Sequence, residues 1–236
     1  MPKYTPKEDY HLEELYLGDD DTGDENEHYD ERKLEKILGL PSLDDVKEWE
    51  YLNFSDNRLV DKHAEEILKK LNHKIKKGVT LDFSDNEILG DCLPEFALII
   101  PEEWATINFS NNPIEGLNAA YFIFNWVFSK GVTINLSGAW IKGLWLEMFY
   151  EDYKGVIERE KFYWDMPIQI NKWAKLNLSN NNIWDKWAEI LKDNMELYDL
   201  SILDLSNNWI SDDMKKELKE WEKSYHDKWI NCKVIV

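Results

Sequence analysis

From Tyr51 onward the chain repeats a single order of apolar and polar positions. Leu52-Asn53-Phe54-Ser55-Asp56-Asn57-Arg58-Leu59 returns as Leu81-Asp82-Phe83-Ser84-Asp85-Asn86-Glu87-Ile88, and the pattern starts again at Ile107, Ile134, Leu176 and Leu203. The starts are separated by 29, 26, 27, 42 and 27 residues. Lys77-Gly78-Val79-Thr80 and Lys130-Gly131-Val132-Thr133 lead into the second and fourth strands in the same register. A further step of 27 residues from Leu203 reaches Ile230, so Ile230-Asn231-Cys232-Lys233-Val234 reads as a last, truncated strand. A sustained period of this length is the signature of stacked structural units.

Each unit opens with a period of two, as where Leu203 and Leu205 point into a core while Asp204 and Ser206 point away. Beyond the Asn and the next apolar residue the period becomes helical. In the first unit Ala64, Ile67, Leu68 and Leu71 make one stripe, and Glu65, Glu66, Lys69 and Lys70 make the solvated face. Asp61, Asp91, Asp185 and Asp212 stand where helices begin, which makes each a candidate N-cap. A strand-turn-helix unit cannot bury both of its apolar faces alone. Stacking supplies the missing wall, with parallel strands on one side and helices on the other.

At these residues the sequence resembles the leucine-rich repeat family, and the 26 to 29 residue period with helical outer segments is similar to its ribonuclease-inhibitor type. The resemblance covers about residues 51–236. It implies an α/β solenoid, with a curved parallel sheet on the concave side and helices on the convex side. It also implies that Asn57, Asn86, Asn112, Asn181 and Asn208 form an inward-turned asparagine ladder, interrupted in the fourth unit by Gly138-Ala139. The same repeat type is similar to that of activators of the Ran GTPase, a regulatory alternative whose signature has no residue-by-residue match here. A fold of this kind says little about function.

The concave strand face presents Asn53, Asp82, Asn108, Asn135, Asn177, Asp204 and Asn231 in one row, beside a row of serines from Ser55 to Ser206. Both rows are small, polar and uniform, whereas interface anchors are aromatic side chains or arginines. Tyr51, Lys175 and Trp229 flank them. The turns are more individual: Trp140 and Trp209 follow the ladder position where other units carry Arg58, Glu87, Pro113 or Asn182, and Trp184 stands two residues beyond Asn182. On the helical side Tyr121, Phe124, Val127 and Phe128 align with polar positions of the first unit, and Leu98, Ile99, Trp145 and Met148 continue the apolar trend. Such a strip needs a cover. The long fourth interval carries an insertion at about residues 150–172, whose Tyr153, Phe162 and Trp164 are able to fold back; a partner is the other cover.

Charge narrows the partner. The 236-residue chain carries 47 acids against 28 Lys and Arg, a net charge of −19, which argues against a nucleic-acid phosphate backbone as ligand. Residues 1–50 hold 17 acids and 6 bases and form an acidic N-terminal segment or degenerate capping unit ahead of the array at 51–236. Asp19, Asp20, Asp21 and Asp24 are candidates for steering a basic partner. They miss the calcium-loop spacing, because Gly18 and Tyr29 fall where acids are required. No apolar run is long enough to span a membrane, residues 1–9 lack the character of a secretory leader, and Cys92 and Cys232 form no framework. An intracellular, reducing, cytoplasmic setting is therefore expected. The scattered histidines and the lack of nucleotide or nucleophile-elbow motifs point to no catalytic residue, metal or cofactor. The expectation is a non-enzymatic protein-interaction module that binds a protein partner, a basic one on the charge evidence, through Trp140, Trp184, Trp209, Tyr121, Phe124, Phe128 and the acidic segment. A structural subunit of a larger assembly, using the apolar helical strip, is the alternative.

Overall fold

The computed structural model describes Tyr10, His11 and residues 46–126, 128–141 and 168–236. The elements run in the order β1 (Tyr10–His11), β2 (Tyr51–Asn53), α1 (Asp61–Lys70), β3 (Thr80–Asp82), α2 (Leu93–Ala97), β4 (Thr106–Asn108), α3 (Gly116–Asn125) and β5 (Thr133–Asn135). They continue with β6 (Ile168–Ile170), β7 (Lys175–Asn177), α4 (Asp185–Asn194), β8 (Met195–Leu197), β9 (Ile202–Asp204), α5 (Asp212–His226) and β10 (Lys233–Ile235). The main sheet is parallel, with order β1-β2-β3-β4-β5-β7-β9-β10, so each repeat strand pairs with the next. Register follows the repeat: Leu52, Leu81, Ile107, Ile134, Leu176 and Leu203 are aligned partners.

These middle residues point inward and are buried, while the residues on either side in each strand face solvent in part. Behind them Phe54, Phe83 and Phe109 stack at centroid separations of 5.2 and 5.3 Å. Phe96 of α2 meets Phe83 and Phe109 edge-on, tying helix to sheet with the geometry that ring quadrupoles favour. Leu136, Leu178 and Leu205 take over the position in later units and are equally buried.

Three features differ from the periodic reading. The last strand is Lys233–Ile235, so that within the expected Ile230–Val234 segment it is Val234, and not Ile230, that lies opposite Leu203. The cause is local: α5 has 15 residues where α1, α3 and α4 have 10, which delays the next strand. Secondly, β1 adds a parallel pair to β2 through Tyr10↔Leu52 and His11↔Asn53.

The third difference concerns the aspartates at the helix starts. Val60, Trp184 and Ser211 are the N-caps of α1, α4 and α5, and Asp61, Asp185 and Asp212 are the first helical residues. Asp61 reaches across to the next unit, accepting N–H bonds from Leu89, Gly90 and Cys92 at 2.9 Å each. Asp185 accepts from the Ser211 N–H and hydroxyl at 2.7 and 2.6 Å. Asp91 accepts from the Asn118 amide at 3.0 Å. Asp61, Asp91 and Asp185 thus each fasten their own unit to the following one.

Candidate functional site

The open face of the sheet is a network of hydrogen bonds made within the chain. Each third strand residue accepts from the serine two places on: Asp82 Oδ1 takes the Ser84 N–H and hydroxyl, and Asn108 Oδ1 does the same for Ser110. The amides also link strands, with Asn135 donating to Asn108 and Asn108 to Asp82, both at 2.8 Å. Tyr51 donates its hydroxyl to Asp82 Oδ2 at 2.5 Å. The resulting groove, ≈ 370 Å³, is floored by Thr106, Thr133, Asn135 and Lys175. Asn231 is absent from this row, and Ile235 occupies its place opposite Asp204. Trp229 lies in the turn after α5, is 92% exposed and does not line the groove.

The carboxyl-terminal ends of the strands open onto a rim built by two backbone devices. Asp56, Asp85, Asn111, Gly138, Asn180 and Asn207 all adopt positive φ, a conformation that Asp, Asn and Gly tolerate best. One residue later the ladder asparagines turn inward. Asn86 Oδ1 accepts from Asn57 and Leu59 N–H groups, while its amide donates to the Phe54, Phe83 and Ser84 carbonyls. Asn112, Asn181 and Asn208 repeat the scheme. Ala139 breaks the run. There the Ile114 N–H bonds instead to the Asn112 carbonyl at 2.8 Å, and Pro113 between them has no N–H to satisfy.

Beyond the ladder, Trp140 and Trp209 project from the rim and are 67% and 71% exposed. They belong to one row with Asn182 between them, because Asn182 N–H bonds to Ile141 O and Trp209 N–H to Ile183 O. Trp184 pairs by its backbone with Trp209, but its indole packs against the core and its buried Nε1 has no acceptor among the described residues. The rim is acidic. Asp56, Asp85, Glu87, Asp91, Glu115 and Asp212 are all exposed along it. Of its few cations, Lys186 is paired with Glu189 at 2.9 Å.

The opposite rim, where strands begin, carries a second set of tryptophans that periodicity alone did not single out. Trp49, Gly78, Trp104, Gly131, Trp173 and Leu200 occupy equivalent positions two residues before their strands, all at positive φ. Their N–H groups bond in sequence to the carbonyls of Lys77, Glu103, Lys130, Lys172, Asp199 and Asn231. The Trp-x and Gly-x steps ahead of β2, β3, β4, β5 and β7 were the signal available in the sequence. Trp104 and Trp173 lie 5.4 Å apart. Lys130 Nζ stands 5.8 and 5.3 Å from their centroids, and Lys172 Nζ stands 4.6 Å from Trp173. Lys172 also pairs with Asp199 at 3.0 Å, holding that carboxyl below the usual carboxylate range.

On the helical side the three candidates separate. Phe128 is buried and bridges to Ile170, so it belongs to the core and not to a surface. Phe124 packs partly against the core, and Tyr121 is half-buried. A short parallel sheet of β6 and β8 lies beside Phe128, so the end of the long interval supplies part of the cover. Leu98 and Ile100 are 77% and 67% exposed. Asp19, Asp20, Asp21 and Asp24, with Val127, Trp145, Met148, Tyr153, Phe162 and Trp164, lie outside the described residues.

Both cysteines are free and buried. Burial, helped by the nearby Asp61 carboxylate, pushes the Cys92 thiol well up, and burial pushes Cys232 to about 11. Such thiols stay protonated near neutral pH and are poor nucleophiles. Among the described residues no three of His, Cys, Asp and Glu are grouped to hold a metal, and no helix is long and apolar enough to cross a membrane. No protein-family model matches the chain, and no curated protein matches it at a significant level.

Proposed function

We propose that this chain is a leucine-rich repeat solenoid of the ribonuclease-inhibitor-like type and that it acts as a non-enzymatic module binding another protein. In-register parallel strands, alternating helices and the hydrogen-bonded asparagines support the first part. The observation that carries the second is the pair Trp140 and Trp209, each about two-thirds exposed on one rim. A tryptophan held in water is costly, and at an interface it is a preferred anchor. The open face contributes little selectivity, since its polar groups are already matched to one another along Tyr51, Asp82, Asn108 and Asn135.

A second reading, a permanent subunit of an assembly, is favoured by Leu98 and Ile100 on the helical side. Affinity capture from the native source, run in parallel with wild type and a Trp140→Ala/Trp209→Ala double variant, tests the proposal. A partner retained by wild type and lost by the variant supports it. The same partners on both proteins refute the rim as the anchor. Light scattering after size exclusion separates the two readings: a monomer fits recruitment, and a tight oligomer fits permanent assembly.

A further inference from the structure

Tryptophan faces two different fates in this molecule. At the rim where strands begin, Trp104 and Trp173 carry ammonium groups from their own chain, Lys130 and Lys172, within 4.6 to 5.8 Å of the ring centroids. At the rim where strands end, no cation or aromatic ring of the described residues lies on Trp140 or Trp209, although both indoles are more exposed. Their surroundings have the opposite charge. Glu87, Asp91 and Glu115 lie along the rim on the amino-terminal side of Trp140, and Asp212 and Asp213 follow Trp209 closely in the chain. An indole face attracts a cation through its quadrupole, and neighbouring carboxylates add to the pull.

Resting on the interaction reading above, we infer that this rim takes a basic peptide segment, with one Lys or Arg side chain on each of Trp140 and Trp209. Row geometry sets the spacing. One strand position, that of Asn182, separates the two tryptophans, so their backbones stand about 10 Å apart at ~4.8 Å per strand. A polyproline-II segment advances ~3.1 Å per residue with three residues per turn, so cationic side chains three residues apart fall about 9 Å apart on one side. The favoured ligand is therefore an extended segment of the form basic-x-x-basic. An acidic or neutral segment gains nothing from this rim.

The test uses the full chain and dye-labelled decapeptides in a Gly/Ser/Pro background, read by fluorescence anisotropy. Two arginines are placed two, three or five residues apart, with Glu-for-Arg and Gly-for-Arg controls. The three-residue spacing is expected to bind at least tenfold more tightly than either control and more tightly than the other spacings. Trp140→Ala and Trp209→Ala are each expected to weaken it about tenfold, while Trp229→Ala, at a still more exposed tryptophan outside this rim, leaves it unchanged. Neutralising Asp19, Asp20, Asp21 and Asp24 to asparagine in the full chain is expected to change affinity less than either rim variant.

Equal weakening by Trp229→Ala, or dependence on the four aspartates alone, overturns the inference in favour of unspecific attraction to an acidic chain. Absence of any basic preference, combined with a captured protein that the double tryptophan variant loses, overturns the cationic ligand while leaving the interaction reading intact. Absence of both removes the two together.

Discussion

The indole of Trp104 lies directly on Gly131, so close that a Cβ placed on the glycine would stand 2.3 Å from Trp104 Cε3. Trp49 covers Gly78 in the same way, at 2.2 Å. Alternate units thus supply a tryptophan and the bare backbone that receives it. The prediction is that Gly131→Ala is destabilising for two reasons. Its φ of +72° is left-handed, which costs an L-residue about 1–2 kcal/mol, and the methyl must also displace Trp104. In a Trp104→Ala background only the first cost remains. A double-mutant cycle by urea unfolding should therefore show coupling of the same sign, and strict additivity would mean that the ring moves aside freely.

The ladder asparagines predict a ranking. Asn86 satisfies two N–H donors and three carbonyls, whereas the Oδ1 of Asn112 serves one donor, Ile88, beside three carbonyls. Leaving a buried polar group unpaired costs about 1–3 kcal/mol. Asn86→Ala should accordingly cost about 3 kcal/mol or more, and Asn112→Ala somewhat less, in the same urea titration. Comparable stability of wild type and Asn86→Ala would mean that water or the backbone takes over, as the Ile114 N–H already turns to Asn112 O beside Ala139.

What periodicity made readable and what it hid have separate physical causes. Strand centres and ladder positions were legible because a side chain's direction alternates in a strand, and because an apolar residue at a wrong step would be wetted. The final strand was misplaced because its position depends on how long α5 runs, and an amphipathic helix has no fixed length in a period count. Phe128 was legible as apolar but not as buried, since its cover, Ile170, lies 42 positions along. Trp140 and Trp209 stood out because they replaced polar residues at one repeated position. That Trp104 and Trp173 were covered by lysines depended on contacts between units, which no single unit encodes.

Asp61 predicts that stability passes from unit to unit through carboxylates at helix starts. Its two oxygens hold the Leu89, Gly90 and Cys92 N–H groups of the following turn. Asp61→Ala should cost about 2 kcal/mol, because a charge-assisted bond contributes about 1.5–3 kcal/mol and part of this site is wet. Asp61→Asn keeps one acceptor and should lose less. Amide exchange sharpens the test: faster exchange at Leu89, Gly90 and Cys92 with unchanged exchange at Ser211, which Asp185 holds, is the expected pattern. Uniform acceleration would show that the carboxylate acts on the whole fold.

The buried thiol of Cys232 predicts a loss of stability in alkali. In the fold it titrates near 11, against 9.0 for an unperturbed thiol, because burial penalises the thiolate and the Glu222 carboxylate repels it. Below about pH 9 folded and unfolded chains both hold the proton, and the contribution is fully present. As pH rises from there toward 11, the unfolded chain releases its proton first, so unfolding is increasingly favoured. Tyr225, also raised by burial, acts with the same sign. Cys232→Ala should therefore lower stability at neutral pH through lost packing and yet fall less steeply between pH 9 and 11. Urea midpoints of both proteins across that window provide the check. Parallel slopes would mean that the thiol keeps its ordinary acidity in the fold, and that water reaches Cys232 despite Val234 and α5.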